Sequence, residues 1–288
     1  MSDGKDLHPL PDDHPGVHDP EYRRRRAAIA TVGAGYRSGQ PIPDVVYTET
    51  EDEVWRTVST ELADEHRRHA CAEYLRGATR LVLPSTRVPQ LREVDERLSE
   101  LTGFHIEPVP GLVPTRVFYG ALARRTFLST QYVRHHSVPH YTPEPDLIHE
   151  IIGHANMLAS DVFADLYEAA GRASLRAESD AALEFFSRVF WFTVEFGVAH
   201  EGEAVKAYGA GLLSSFGEIN SFEEAELRPW DVAEMGARSY DITRYQPLLY
   251  AATDLNQAVS DLRAFFDGYS ERAFDERYRD GRAHREAS

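Results

Sequence analysis

Cysteine is almost absent. Cys71 is the only one, so no internal disulfide can form. No apolar run approaches the roughly 20 residues of a membrane span. The first residues lack the apolar core of a signal peptide. Positive charge is scarce: 31 Lys and Arg stand against 47 Asp and Glu, a net charge of −16. That balance argues against nucleic acid and against an anionic membrane surface as partners. Together these absences predict a cytoplasmic, reducing setting. The one basic run, Arg23 to Arg26, reads as the solvated face of a first helix.

What is present fits a globular enzyme. The 288 residues suffice for one large domain, with 42% hydrophobic and 27% charged residues. Residues 1–19 have no periodicity and read as a disordered lead. His8, His14 and His18 fall within it. Residues 20–275 read as one catalytic domain and 276–288 as a C-terminal tail. Helices are predicted at 21–33, from 50 toward 75, at 88–101, 115–124, 161–173, 180–200 and 254–266. Thr50 and Glu53 form a capping box for the second. Cys71 lies on that helix as a packing residue. Phe127 to Val133 alternates and predicts a strand. Gly209 and Gly211 mark close backbone approaches. The fold class is mainly α with a few short strands.

The stretch from Tyr141 to His154, Y-T-P-E-P-D-L-I-H-E-I-I-G-H, concentrates the chemistry. Pro143 and Pro145 push their predecessors out of helical geometry. Asp146 stands where an N-cap belongs, and Glu150 sits near the positive end of the helix dipole. His149 and His154 can bind a metal. Their interval is five, not the four of H-E-x-x-H. In a regular helix that turns the second ring about 140° from the first. A π-bulge would bring the rings together; otherwise they are two ordinary helix histidines. A second stretch, Phe190 to Gly197, carries Glu195 inside an aromatic run. That carboxylate either faces solvent or is held by a partner. Two histidines and one carboxylate make the facial triad of non-haem Fe(II) oxygenases.

These blocks, with Thr130 to His135 and Ala207 to Glu218, occur in the order seen in a known family. The chain resembles the pterin-dependent aromatic amino acid hydroxylases, most of all bacterial phenylalanine hydroxylases, over about Asp19 to Phe274. The resemblance implies a single helical-basket domain around a deep iron site, and a monomer. It implies Fe(II) on His149, His154 and Glu195, tetrahydrobiopterin or a related tetrahydropterin as donor, and O2 as co-substrate. One oxygen atom goes to the pterin and the other to the aromatic ring. Gly111, Val113, Thr115 and Phe118 are implied pterin contacts, with Glu150 and Phe190 beside them. Glu150 and Ser214 are the implied catalytic pair. Arg134 is the implied clamp on the substrate carboxylate, with Asp146 behind it. Thr142, Pro143, Pro145, Trp191, Phe196, Gly211, Ser214 and Glu218 complete the implied substrate pocket. Two positions depart from the family: Phe190 replaces a usual tyrosine, and Asn156 stands where many members carry proline.

The resulting expectation is hydroxylation of L-phenylalanine at carbon 4 to give L-tyrosine. By the resemblance, Trp191 implies a single-ring substrate, and an apolar Ile242 implies a bare phenyl ring. The alternatives are 3-hydroxylation to meta-tyrosine and tryptophan hydroxylation. From other classes come a zinc hydrolase with Glu150 as base and a catalytically dead binding protein.

Overall fold

The computed structural model describes residues 12, 14–140, 142, 144–242 and 244–279. Helices dominate, and two small sheets interrupt them. His105–Pro108 pairs in parallel with Thr126–Ser129, setting Ile106 opposite Phe127. The other sheet has four strands in the order Ala204–Ala207, Val198–Glu201, Leu248–Ala252, Glu226–Pro229. Only its first pair is antiparallel. One large apolar core runs through the domain, and both candidate ligand segments are embedded in it.

Local chemistry accounts for most helix ends. The helix Glu49–His69 begins at Thr48, whose hydroxyl accepts from Glu51 N while the Glu51 carboxylate accepts from Thr48 N. The expected Thr50–Glu53 box is therefore displaced by the overlapping one two residues earlier. The predicted continuation to Leu75 also fails. Cys71 N donates to Ala207 O at 2.9 Å, which pulls the chain out of the helix and alongside a strand. Cys71 is buried at the N-cap of the next helix, Ala72–Leu81, where its sulfur accepts from Tyr74 N. Gly103 ends the helix Leu91–Thr102 in a left-handed conformation, φ 71°, that glycine adopts without strain.

The predicted helix over 180–200 is shorter. It is α-helical at Asp180–Phe190, passes through a π-turn at Trp191–Glu195, and His200 lies in a strand. Thr193 Oγ1 donates to Val189 O at 2.6 Å, and such back-bonding bends helices. The predicted strand 127–133 is paired only over Thr126–Ser129.

The ends of the domain also differ from expectation. Residues 14–19, assigned to the disordered lead, form a short helix at Pro15–His18 followed by Asp19, the cap of the helix Pro20–Gly35. Asp19 also meets the His135 ring. At the other end the helix Glu271–Arg277 crosses the expected tail boundary, and Tyr278 stacks on Phe185 at 4.5 Å. Among the described residues no helix is long and apolar enough to cross a membrane.

Arg26 corrects the reading of the arginine run. Arg23 and Arg24 are exposed, but Arg26 is buried, paired with Glu144 and 4.3 Å over the Tyr132 ring. It fastens the first long helix to the proline-rich loop. Removing one member of a buried pair is costly, so Arg26→Ala should lower the free energy of unfolding by about 3 kcal/mol. Arg24→Ala should change it by less than about 0.5 kcal/mol. Urea unfolding of the two variants tests this, and equal small effects would contradict it.

Candidate metal and cofactor site

His149 and His154 lie in a π-turn, His149–Ala155. Its wider turn converts the five-residue interval into one face. The two Nε2 atoms are 3.1 Å apart and the ring planes stand at 86°. Glu195 closes the second π-turn, where Phe196 N donates to Trp191 O five residues back. Its Oε1 is 3.3 Å from His154 Nε2 and its Oε2 is 3.8 Å from His149 Nε2. Donors about 2.1 Å from a common centre and at right angles are about 3.0 Å apart. Two of the three separations, 3.1 and 3.3 Å, lie near that value, and the third is wider at 3.8 Å. Glu150 belongs to the same cluster, within 4.8 Å, but Glu195 is the carboxylate that contacts both rings.

The outer hydrogen bonds decide which ring nitrogens are bare. His149 Nδ1 meets Ser214 Oγ at 2.7 Å, and that hydroxyl has Gly211 O as its own acceptor. His154 Nδ1 meets Tyr167 OH at 2.7 Å, and that hydroxyl points to Met157 Sδ. With the proton on each Nδ1, both hydroxyls keep these acceptors. Both Nε2 lone pairs then face one point together with the Glu195 carboxylate. Two lone pairs and a carboxylate converging on one point can share a cation, so the donor set fits a divalent metal. Side-chain exposure is 15% for His149 and Glu195 but 2% for His154, so the open side of the site lies by the first two.

Burial sets the charge states before metal enters. It pushes His149 down to about 4, with Asp146 opposing and Arg134 adding. His154 is also held well below the ordinary imidazole range, through burial and then the neighbouring His149. Burial raises Glu195 to about 8. Glu150 is raised well above the carboxylate range by burial, then by Glu195 and Asp146.

Asp146 does two jobs. Its Oδ1 accepts from His149 N at 3.1 Å, capping the ligand turn. Its carboxylate also takes Arg134 Nε and Nη2 at 3.0 and 2.8 Å and Arg134 N at 2.8 Å. Pro139 O accepts from Nη1. Among the described residues, three of the five guanidinium N–H groups are thus used. Thr142 is half-buried and donates to Glu144 O. Pro145 O accepts from Tyr132 OH. Pro143 lies outside the described residues.

Aromatic rings wall the rest. Trp191 stacks on Tyr240 at 4.1 Å and tilts on Phe196 at 4.6 Å, while its Nε1 donates to Gln246 Oε1. Gly211 is a close approach, because a Cβ there would lie 2.6 Å from the Phe196 ring. Gly209 would meet Glu195 O at 2.4 Å. Glu218 accepts from Gln246 N, and burial raises it to about 7. On the other side Phe118 packs edge-on against Phe127 and Phe190, and Phe127 lies 4.7 Å from the His154 ring. Gly111 is buried, Val113 half-buried, and Thr115 exposed at the start of the helix Thr115–Leu122. Ile242, expected beside the substrate ring, is 61% exposed; Tyr240 is the loop residue that reaches Trp191. Tyr167, Gln246 and Tyr240 were not foreseen as site residues. None belongs to a motif, and Tyr167 reaches His154 from the separate helix Asp161–Ser174.

Metal uptake must displace the Glu195 proton below about pH 8, while both histidines are already neutral. From about pH 6 to about pH 8 the apparent affinity for Co(II) should rise roughly tenfold per unit, then level off. The sign follows from a raised carboxyl: the metal-free protein is favoured by the bound proton, and the advantage fades as pH climbs through 8. A flat profile in an anaerobic titration would contradict it.

The chain was compared with known proteins. The profile of the biopterin-dependent aromatic amino acid hydroxylases matches residues 5–284. The phenylalanine 3-hydroxylase of Streptomyces coeruleorubidus is 46% identical over 254 residues, 88% of this chain and 91% of that protein. The bovine phenylalanine-4-hydroxylase is 44% identical over 88% of this chain, which spans 57% of its length. The crystal structure of Chromobacterium violaceum phenylalanine hydroxylase with bound iron(III) and 7,8-dihydrobiopterin superposes with a TM-score of 0.73, at 29% identity, over 84% of this chain and 93% of that one. The matched span and the identities agree: this chain belongs to the biopterin-dependent aromatic amino acid hydroxylases.

Proposed function

We propose that the enzyme is a monooxygenase that hydroxylates the ring of L-phenylalanine, with carbon 4 as the target. The observation that carries this reading is the convergence of His149, His154 and Glu195, with the paired Trp191 and Phe196 rings flanking Glu195 along the chain. His149, His154 and Glu195 would hold Fe(II), and iron with the tetrahydropterin supplies the activation of O2 when bound. Phe118, with Gly111, Val113 and Thr115, offers a flat apolar seat and backbone groups for the pterin. Glu150, buried one residue after a ligand, would hold a proton facing that cofactor. Phe190 lines the same side. Arg134 would take the substrate carboxylate with its guanidinium, fixed from behind by Asp146. Thr142 and Pro145 would border the amino acid, and Ser214 and Glu218 orient His149 and Gln246. Excluding water and orienting the ring is the protein's share. We read the enzyme as a cytoplasmic monomer.

Carbon 3 is the second reading, and one observation favours it. The relative whose length the chain matches at 91% is a 3-hydroxylase, and about 1 Å of ring displacement suffices to redirect chemistry. Incubation with Fe(II), a reduced tetrahydropterin, O2 and each aromatic amino acid, followed by chromatography against authentic para- and meta-tyrosine, decides. The expected main product from phenylalanine is para-tyrosine. A dominant meta product overturns the ring position, and turnover of tryptophan alone overturns the substrate.

A further inference from the structure

A π-turn leaves a backbone debt that the metal ligands do not settle. Asn156 N donates to Ile151 O, five residues back. Ala159 N donates to Ala155 O, four back. Between those two bonds lie three carbonyls, of residues 152, 153 and 154, but only two amides, of 157 and 158. One carbonyl therefore has no donor of its own within the helix, and an unpaired buried carbonyl is costly. Two side chains converge on Ile152 O. Tyr74 OH donates to it at 2.8 Å and Asn156 Nδ2 at 3.0 Å. Asn156 Nδ2 also reaches Tyr74 OH at 3.1 Å. Ile152 sits between His149 and His154, inside the turn that brings their rings together.

The network continues. Tyr74 OH lies 3.4 Å from Nδ1 of the buried His66, whose Nε2 meets Leu213 O at 2.6 Å. A carbonyl can only accept, so Nε2 carries the proton and donates. Leu213 precedes Ser214, which holds His149 Nδ1. One connected set of hydrogen bonds thus touches the ligand turn and the segment that orients its first histidine. The amide of Asn156 leaves its own Oδ1 buried without a partner among the described residues while aiming its nitrogen at Ile152 O. Reversing it would set oxygen against oxygen. The helix Ala72–Leu81 that carries Tyr74 packs so tightly here that a Cβ on Gly77 would lie 2.1 Å from Asn156 O.

We propose that Asn156, Tyr74 and His66 are positioning residues that brace the π-turn and hold His149 and His154 at metal-binding separation. They touch no substrate, cofactor or metal and act through Ile152 O and Leu213 O. The proposal rests on the reading of His149, His154 and Glu195 as ligands.

Titration of Co(II) into the metal-free full-length protein, read by affinity and by the visible ligand-field spectrum, tests it. Asn156→Ala and Tyr74→Phe should each weaken binding about 10-fold and alter the spectrum, as loss of outer-shell support does. The double variant should lose less than the product of the two, because both serve one carbonyl. Phe274→Ala, in the aromatic cluster around Phe185, should lower thermal stability yet keep the wild-type affinity and spectrum. Tyr74→Phe keeps its ring packing and carries the test if Asn156→Ala does not fold. Wild-type affinity and spectrum in Tyr74→Phe would overturn the brace, with His149→Ala still abolishing binding. Retention of Co(II) by His149→Ala would instead remove the ligand reading and the proposal with it.

Discussion

The site depends on a change of helical register. Two histidines five residues apart cannot share a face of an α-helix. They do so here because His149–Ala155 winds as a π-turn. A π-turn is less favourable than an α-turn, so the surroundings must over-determine it. Asp146 fixes the start through His149 N. Tyr74 and Asn156 take up the carbonyl at its centre. Gly153 lets the helix Ala210–Ser214 approach, since a Cβ there would lie 2.8 Å from Ala210 O. The third donor comes from a second π-turn, which Thr193 helps to open. Both turns exist to aim side chains, and neither is what local propensity alone would choose.

Electrostatics then gives the carboxylate a positive partner, a proton without metal and the metal ion once it displaces that proton. Burial keeps both imidazoles neutral and lifts the Glu195 carboxyl to about 8. Ser214 and Tyr167 hold the imidazole protons on the far nitrogens. A divalent ion restores to the carboxylate what desolvation removed. The same burial that makes the metal-free site strained makes the loaded one selective for positive charge. Arg134 and Asp146 neutralise one another nearby, so the pair places a guanidinium at the site without adding net charge to it.

Much of this was legible in the sequence, and the remainder was not for identifiable reasons. The donors, the cap Asp146 and the aromatic run around Glu195 stood in contiguous blocks, each with its own chemical signature. The interval of five even pointed to an irregular turn. Helix ends were less legible where two local signals overlapped. Thr48 and Thr50 each begin a T-x-x-E cap, and the earlier one is formed. The break at Cys71 comes from pairing with Ala207, a partner more than a hundred residues away. Arg26 looked like its exposed neighbours because nothing local announces Glu144 or the Tyr132 ring. Tyr167 and Tyr240 are likewise defined by what they meet across the fold. Ile242 illustrates the converse: a loop position inferred to face the substrate ring points largely to solvent, two residues from Tyr240, which stacks on Trp191.

The central claim is that two π-turns deliver two imidazoles and one carboxylate to a single iron. X-ray absorption at the iron edge of the Fe(II)-loaded enzyme addresses it directly. The account predicts a first shell of nitrogen and oxygen only, at about 2.1 Å, with the outer-shell scattering of two imidazole rings. A first shell with one imidazole or none, or with a sulfur donor, would contradict it.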